Sequence, residues 1–263
     1  NKKIIDSLPN LKFITTRSPG FDHIDYKYAE SKGIKVSNVP VYGSSTVAEF
    51  TFALLLNLSR KISQAGRQLK EGGDFEVSAQ LEGFDLECKT MGVIGTGKIG
   101  KNVIRIAQAF SMKVLAYDLY PDANFAKENN FEYKNFDEVI SNSDIITLHT
   151  PYTKENYHLI NKETILKMKK GVYIINTARG ELVDAEALLS SINEGIIGGV
   201  GMDVLEGEHN FKKGDKIPIL DKPNVIITPH VAFYSKEAMH RIMQTTAENI
   251  KGFISGNLQN LVK

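Results

Sequence analysis

The sequence is poor in cysteine and has no long apolar run. Cys88 is the single cysteine among 263 residues. One thiol cannot form a disulfide framework within the chain and fits a reducing compartment, so we expect a cytoplasmic location. Cys88 also lacks the partners that a metal site or a C-x-x-C redox pair requires, and we expect no metal. The longest apolar patch, 50–58, is interrupted by Thr51 and Asn57. It falls short of the roughly 20 residues of a membrane span and indicates a buried helix.

Net charge is also nearly absent. The chain carries 32 Lys and Arg residues against 31 Asp and Glu residues. This balance gives no support for a nucleic-acid partner or an acidic membrane surface. The hydrophobic share of 42% and the charged share of 24% are those of a globular protein. The length fits one large domain or two smaller ones.

Short β-branched segments alternate with longer amphipathic ones. Several of the short segments are continuously apolar, which is typical of strands covered on both faces of a parallel sheet. The alternation predicts an α/β fold with an open, doubly wound parallel sheet. The predicted strands are Leu11–Thr15, Lys35–Ser37, Met91–Ile94, Lys113–Tyr117, Ile145–His149, Val172–Asn176, Gly199–Asp203 and Val225–Thr228.

Helices are predicted between these strands. Lys98–Phe110 carries an apolar stripe, and Asp184 is a suitable N-cap for the next clear helix. Thr46–Gln68 is predicted to be one long helix that joins two domains or forms a dimer face. Glu206–Pro223 is the one long irregular segment, and a loop of that length is usually functional or mobile.

A glycine motif, G-x-G-x-x-G, occupies Gly95–Gly100, directly after a predicted strand and at the start of a predicted helix. Gly95 permits a tight turn, Gly97 removes the side chain where a pyrophosphate would meet the backbone, and Gly100 allows close helix–strand packing. The next strand ends in Asp118. A carboxylate there binds a ribose 2′-hydroxyl and repels a 2′-phosphate, which favours NAD over NADP. The alternative is a glycine-rich turn whose acid merely caps a loop.

Polar residues follow several predicted strands, where ligands of open α/β sheets bind. They are Asp118, His149, Thr150, Thr177, Arg179, Asp203 and His230, with Glu206 and Glu208 close behind Asp203. An arginine can grip a carboxylate with two parallel hydrogen bonds, and a protonated imidazole can give its proton to a developing alkoxide. An acid beside the imidazole favours its charged form and fixes its tautomer. This set is the one required to reduce a 2-keto acid.

Each of these residues has a structural alternative. Position alone does not choose between His149 and His230, because both follow strands. A histidine at a strand end is more often structural than catalytic. Arg179 could equally be a surface arginine, and Glu208 a solvated loop acid.

Three motifs resemble the D-isomer-specific 2-hydroxyacid dehydrogenases in order, spacing and context. They are Thr177–Asp184, Met202–Glu208 and Thr228–His230. Upstream, Arg17–Asp25 resembles the loop of the family's substrate-binding domain, although Pro19 has no N–H to donate to a carboxylate. Val39–Tyr42 and His230–Tyr234 resemble the D-lactate dehydrogenase subgroup.

The resemblance implies a role for each matching residue. Arg179 would bind the substrate carboxylate, Glu208 would be the partner acid and His230 the acid/base. A further substrate contact would come from Gly20. Tyr42 and Phe233 are expected to be pocket-wall residues that contact the substrate, and the alternative for both is a place in the core. The expected NAD contacts are Gly95, Gly97, Lys98, Ile99, Gly100, Asp118, Thr150, Pro151, Asn156, Thr177, Ala178, Arg179 and Asp203. Glu206 would be an ordinary neighbour of the catalytic acid, and His149 structural or on the cofactor side.

The resemblance also implies the domain organisation and the assembly. Residues 44–231 would form a Rossmann NAD-binding domain. Residues 1–43 and 232–263 would form part of a smaller, flavodoxin-like substrate domain, which we expect to be incomplete at its N-terminus. The expected assembly is a homodimer through the NAD-binding domains.

The implied function is an oxidoreductase that transfers a hydride between NAD(H) and a small D-2-hydroxy acid, D-lactate and pyruvate first among them. One alternative is another 2-keto acid, such as glyoxylate or hydroxypyruvate. Another is a non-catalytic NADH-sensing scaffold, which can retain the same Arg, Glu and His. Formate dehydrogenases share the fold but are expected to carry a glutamine near the histidine. Phosphoglycerate dehydrogenases usually carry additional C-terminal sequence.

Overall fold

The computed structural model describes residues 1–21 and 23–262, and it divides into two compact units. The smaller unit comprises Asn1–Thr46 and Phe233–Lys263, and the larger comprises Val47–Ala232. The strands are β1 Phe13–Thr15, β2 Lys35–Ser37, β3 Thr90–Ile94, β4 Lys113–Tyr117, β5 Glu132–Tyr133, β6 Ile145–Leu148, β7 Val172–Asn176, β8 Ile197–Met202 and β9 Val225–Ile227. The helices are α1 Lys2–Asp6, α2 Tyr26–Ser31, α3 Ser44–Arg60, α4 Ile62–Lys70, α5 Lys98–Ala109, α6 Ala123–Glu128, α7 Phe136–Asn142, α8 Lys162–Leu166, α9 Ala185–Asn193 and α10 Lys236–Ser255.

The smaller unit contains a β-α-β arrangement. Strands β1 and β2 pair in parallel, and α2 connects them along the chain. The side chain of Asp25 caps α2 by accepting a hydrogen bond from the backbone N–H of Tyr28. The core of this unit is small and contains Ile5, Ala29, Ile34, Val36 and Val262. Asp22, in the segment that resembles a substrate loop, lies outside the described residues.

The larger unit is built on a seven-stranded parallel sheet in the order β5-β4-β3-β6-β7-β8-β9. The order reverses between β3 and β6, so the connections on either side of this point run in opposite directions. A crevice opens at the carboxyl edge of such a sheet, which is where doubly wound folds bind ligands. The predicted fold class is therefore confirmed.

Alternate residues of the central strands enter two separate cores. Met91 and Val93 pack into one hydrophobic cluster, whereas Ile94 packs into the other. Ile145 and Ile146 divide in the same way. Successive side chains of a strand point to opposite faces, so both faces of this sheet are covered and the strands are continuously apolar.

The prediction of one helix over Thr46–Gln68 was wrong. Helix α3 ends at Arg60, and Lys61 adopts φ +55°, a left-handed conformation that interrupts a helix. The side chain of Asn57 stabilises the break, because it accepts from the Ser63 N–H at 2.8 Å and donates to the Ser63 hydroxyl at 2.7 Å. Helix α4 then begins at Ile62.

Other boundaries moved by a few residues. The strand predicted at Leu11–Thr15 begins at Phe13, and the one predicted at Gly199–Asp203 runs from Ile197 to Met202. The segment 206–223 includes two short 3-10 turns, Glu208–Asn210 and Pro218–Asp221. Throughout the described part of the chain, no helix is both long and apolar enough to cross a membrane.

Candidate active site

The glycine turn between β3 and α5 leaves an opening at the start of the helix. Gly95 has φ +92°, and a Cβ there would lie 2.7 Å from the backbone of His149 and Thr150. A Cβ on Gly100 would collide with the carbonyl oxygen of Gly95. At Gly97, by contrast, a Cβ would meet nothing within 4 Å. Two glycines are thus required by close packing, and the third leaves open space.

That space suits a pyrophosphate. Gly97 is the N-cap of the 12-residue helix α5 and makes no side-chain capping bond. Lys98 and Ile99 form the first residues of the helix. The first N–H groups of a helix have no intrahelical acceptor, and the helix dipole favours an anion beside them. The turn therefore fits the phosphates of a dinucleotide.

Asp118, after β4, is held by the glycine turn itself. Its Oδ2 accepts from the Thr96 N–H at 2.6 Å and from the Thr96 hydroxyl at 3.0 Å, and its Oδ1 accepts from the Tyr120 N–H at 2.8 Å. The Thr96 hydroxyl is also 2.8 Å from the Tyr133 hydroxyl on β5. Sequence reasoning missed both Thr96 and Tyr133. The position of Thr96 inside the glycine motif was the available signal.

The predicted adenine-side residues meet in one turn after β6. Asn156 donates to the carbonyl of Pro151 at 2.8 Å and accepts from the Thr153 N–H at 2.7 Å. Thr150, immediately before Pro151, lies against Gly95. Thr150 therefore borders the glycine turn at the point where the strand order reverses, and Asn156 is bonded to the residue that follows it.

His149 differs from His230 in its surroundings. Its Nε2 is 2.8 Å from the Thr147 hydroxyl, and its buried Nδ1 has no hydrogen-bond partner among residues 1–21 and 23–262. Burial lowers the pKa of His149 from 6.5 to about 3. An imidazole that stays neutral at ordinary pH is a poor proton donor. Burial and its effect on the pKa therefore distinguish His149 from His230, which their positions in the sequence did not.

Arg179 follows β7 in a turn braced by the buried side chain of Asn176. Asn176 donates to the Arg179 carbonyl at 2.8 Å and accepts from the Ala178 N–H at 3.0 Å. The guanidinium of Arg179 donates to the Ala178 carbonyl at 2.8 Å. Thr177 is also anchored, because its hydroxyl is 3.1 Å from the hydroxyl of Thr51 on α3. Asn176 and Thr51 are site-supporting residues that sequence reasoning missed.

Glu208 and His230 form a close pair. Oε1 of Glu208 is 2.5 Å from Nδ1 of His230, and Oε2 of Glu208 accepts from the Leu205 N–H at 3.1 Å. The glutamate side chain is 23% exposed and the histidine side chain 43%, so the pair is open to a ligand. A carboxylate at Nδ1 fixes the ring orientation and directs proton exchange with a substrate to Nε2.

Asp203, after β8, fastens the segment that carries His230. Its buried carboxylate accepts from the Thr228 hydroxyl at 2.5 Å, the Val231 N–H at 2.9 Å and the Ala232 N–H at 2.7 Å. Its carbonyl accepts from the His230 N–H at 2.9 Å. His230 is held at φ +53°, which is uncommon outside glycine and asparagine. The expected NAD contact of Asp203 stays a prediction, and its bonds within the protein are structural.

Arg179, Glu208 and His230 follow the adjacent strands β7, β8 and β9 at one edge of the sheet. This edge offers a cation for a carboxylate and an acid–imidazole pair for a proton. No group of three His, Cys, Asp or Glu residues suited to a metal occurs among the residues described.

The remaining predicted substrate residues lie in the smaller unit. The Tyr42 and Phe233 rings meet edge to face with centroids 6.2 Å apart. The Tyr42 carbonyl accepts from Nε of Arg241 at 2.5 Å. The Gly20 carbonyl accepts a hydrogen bond from the Ser18 hydroxyl at 2.6 Å. The side-chain amide of Asn38 donates a hydrogen bond to the Pro19 carbonyl at 2.7 Å. The segment that contains Pro19 is therefore stabilised by side-chain bonds.

Comparison with known proteins agrees with this geometry. The NAD-binding domain of D-isomer-specific 2-hydroxyacid dehydrogenases matches residues 52–232. An aromatic 2-oxoacid reductase from Clostridium sporogenes is 42% identical, over 99% of this chain and 82% of the relative. D-lactate dehydrogenase from Escherichia coli is 39% identical, over 94% of this chain and 77% of the relative.

A solved structure gives the same result. D-lactate dehydrogenase from Aquifex aeolicus, complexed with NAD and lactic acid, superposes with a TM-score of 0.91 at 41% identity. The match covers 100% of this chain and 83% of that one. The chain therefore belongs to the D-isomer-specific 2-hydroxyacid dehydrogenases, a family of oxidoreductases, and its cofactor is NAD.

Proposed function

We propose that this chain reduces a small 2-keto acid to the D-2-hydroxy acid, with pyruvate and D-lactate as the principal pair. The observation that carries the proposal is the 2.5 Å contact between Oε1 of Glu208 and Nδ1 of His230. Glu208 follows β8, which is the neighbour of the strand that precedes Arg179. The cofactor, when bound, supplies or accepts the hydride. The remaining chemistry is binding, orientation and proton transfer by the protein.

The three side chains divide this work. Arg179 holds the substrate carboxylate through two parallel hydrogen bonds, so the keto carbon keeps one orientation. His230, protonated, donates from Nε2 to the carbonyl oxygen as negative charge develops there. Glu208 at Nδ1 stabilises the imidazolium and prevents the ring from turning. In the direction of oxidation, neutral His230 accepts the hydroxyl proton.

The family resemblance and the geometry of the glycine turn support the assignment of the cofactor residues. We assign the pyrophosphate to the turn at Gly95–Gly100 and the adenosine ribose to Asp118, whose carboxylate is held by Thr96. We assign contacts with the adenine of the cofactor to Thr150, Pro151 and Asn156. We assign contacts with the nicotinamide end to Thr177, Ala178 and Asp203. The larger unit is then the NAD-binding domain and the smaller one the substrate domain, and the cysteine usage favours the cytoplasm.

A panel of 2-keto acids tests the proposal. We expect pyruvate to give the highest kcat/KM with NADH, ahead of glyoxylate, hydroxypyruvate and phenylpyruvate. Phenylpyruvate is the main competitor, because the Clostridium sporogenes relative is an aromatic 2-oxoacid reductase. A higher kcat/KM for phenylpyruvate would reassign the substrate. NADH binding without oxidation by any of the acids would instead support the scaffold.

Substitution of the acid–imidazole pair tests the assigned roles. We expect His230→Gln to lower kcat at least ~100-fold while NADH affinity stays within ~3-fold of wild type, because general acid catalysis contributes about 10²–10⁴-fold. Near-normal turnover of His230→Gln would remove His230 from the mechanism. Arg179→Gln should instead raise KM for pyruvate as well as lower kcat, since it removes the carboxylate contact.

We also propose that the larger unit pairs with a second copy of the chain. Phe75 and Val77, between α4 and β3, are 92% and 94% exposed. Exposed apolar surface concentrated in one segment can mark a protein–protein contact. Light scattering should give a dimer for the wild type and a monomer for Phe75→Ser/Val77→Ser. Ile254→Ser, on α10, is the matched control, because it removes an apolar side chain of 78% exposure from the other unit. A monomeric wild type would refute the pairing.

A further inference from the structure

A second group of titratable side chains lies beside the Glu208 loop, and the proposed reaction does not use it. The Tyr157 hydroxyl donates to Oε1 of Glu206 at 2.8 Å, and Nε2 of His158 is 2.8 Å from Oε2 of the same carboxylate. The Tyr157 and His158 rings stack with centroids 3.8 Å apart. The hydrogen bond from His158 holds the pKa of Glu206 below its ordinary value, although burial opposes it. Both oxygens of Glu206 are therefore held.

The segment that holds Glu206 is tied to the segment that follows Arg179. The His158 N–H donates to the Glu181 carbonyl at 2.9 Å, and the Ile160 N–H donates to the Leu182 carbonyl at 2.9 Å. Nδ1 of His158 is 3.8 Å from a carboxylate oxygen of Asp184. Residues 158–160 therefore run beside residues 181–184.

The loop that carries Glu206 also lies against this segment. A Cβ on Gly180 would collide with the peptide that joins Leu205 to Glu206. Only a glycine at this position leaves room for the loop to lie directly on the residue after Arg179. Two residues further on, Glu208 accepts from the Leu205 N–H and contacts His230. Glu206 therefore lies in a loop that packs against the residue after Arg179 and continues to Glu208, the partner of His230.

We propose that Glu206, gripped by Tyr157 and His158, is a positioning residue for Glu208, a role that rests on the function proposed above. The two hydrogen bonds of Glu206 fix the direction in which residues 205–208 leave the sheet. Residues that orient a catalytic group act through this kind of supporting contact, and displacements near 1 Å cost about 10²-fold in rate.

Single substitutions test the position of Glu206. In the full chain with pyruvate and NADH, we expect Glu206→Ala to lower kcat about tenfold, while KM and the NADH dissociation constant stay within about twofold. Glu206→Gln can still accept from Tyr157, and its amide nitrogen can donate to Nε2 of His158 when the imidazole proton lies on Nδ1. This variant should therefore recover most of the lost kcat. Equal losses in the Gln and Ala variants would show that the charge acts directly, which would overturn the positioning role.

Tyrosine variants provide the matched control. Tyr157→Phe removes only the hydroxyl that donates to Glu206, and we expect kcat to fall about threefold. Tyr152→Phe removes a hydroxyl from the neighbouring ring, whose centroid is 6.3 Å away, and should leave kcat unchanged. Equal effects of the two variants would contradict the proposal.

A double-mutant cycle separates this proposal from the one on which it rests. If Glu206 acts through Glu208, Glu206→Ala should have no further effect on kcat in a Glu208→Ala background. The same tenfold loss in both backgrounds would overturn the proposal while leaving Glu208 its role. Near-normal kcat for Glu208→Ala itself would refute the proposed mechanism and, with it, the positioning role.

Discussion

The bonds received by Asp203 predict a large cost for a small substitution. Asp203→Asn keeps one oxygen, which can still accept from the Thr228 hydroxyl and the Val231 N–H. The amide nitrogen then faces the buried Ala232 N–H, which now bonds to Oδ2 at 2.7 Å. Two donors face each other without an acceptor, and each unsatisfied buried donor costs about 1–3 kcal/mol. We expect the free energy of unfolding to fall by about 3 kcal/mol.

Urea denaturation measures this change, with Thr228→Val as the control. That variant removes one of the three bonds to Asp203 and leaves both backbone donors satisfied, so it should cost only about 1 kcal/mol. The midpoint of Asp203→Asn should fall further than that of Thr228→Val at an unchanged m-value. Its kcat should fall as well, because the bonds from Val231 and Ala232 hold the residues that follow His230. Equal midpoints for the two variants would refute the reasoning.

Three further outcomes are expected. Asp118→Ala should raise the NADPH/NADH ratio of kcat/KM about tenfold or more, because the carboxylate that repels a 2′-phosphate is gone; an unchanged ratio would remove Asp118 from cofactor selection. Gly100→Ala should destabilise the fold by about 1–3 kcal/mol in denaturant, whereas Gly97→Ala, which meets open space, should fold normally and weaken NADH binding; the reverse pattern would contradict the assigned packing. The pKa of His149 is about 3 in the folded protein and 6.5 when the side chain is exposed on unfolding, so the unfolded chain binds the proton more readily. The free energy of unfolding therefore decreases as pH falls from 6.5 towards 3, by at most about 1.4 kcal/mol per pH unit. His149→Gln should flatten this slope in denaturation at pH 6.5 and 4.5, and an unchanged slope would count against the burial of the neutral ring.

Local pattern was sufficient for the central strands of the larger unit and for the helix that Asp184 caps. Continuous apolar segments such as Val172–Asn176 are characteristic of strands covered on both faces, and the side chains of the central strands do alternate between two cores. Asp184 was predicted to cap a helix, and it accepts from the N–H groups of Glu186 and Ala187. These features depend on residues close together in the chain.

Local pattern was insufficient for Thr46–Gln68. The apolar repeat continues past Lys61, and the residues between Leu58 and Ser63 include no glycine or proline. The helix ends there because Asn57 bonds to Ser63, which only the folded backbone reveals. Helix boundaries depend on such capping contacts more than on periodicity.

The same limit applied to the supporting residues of the site. Glu206 was expected to be an ordinary neighbour of Glu208, yet its carboxylate is bound by side chains almost 50 positions away. Asn176 was predicted only as the end of a strand, although its side chain braces the turn at Arg179. Sequence spacing carries no information on contacts of this kind.

The glycine motif and Asp118 indicated the cofactor from sequence alone, because each depends on residue type at a fixed place along a strand–turn–helix unit. The order of Arg179, Glu208 and His230 indicated the family through its resemblance to known sequences. The resemblance assigned proton transfer to His230, but only the tertiary structure gave a physical difference between His230 and His149. His149 and His230 both follow strands. Burial removes His149 from solvent and lowers its pKa, whereas Nδ1 of His230 lies 2.5 Å from the carboxylate of Glu208. The charge state of an ionisable side chain depends on its burial, its hydrogen bonds and the charges near it in the folded protein, and a linear sequence does not give these.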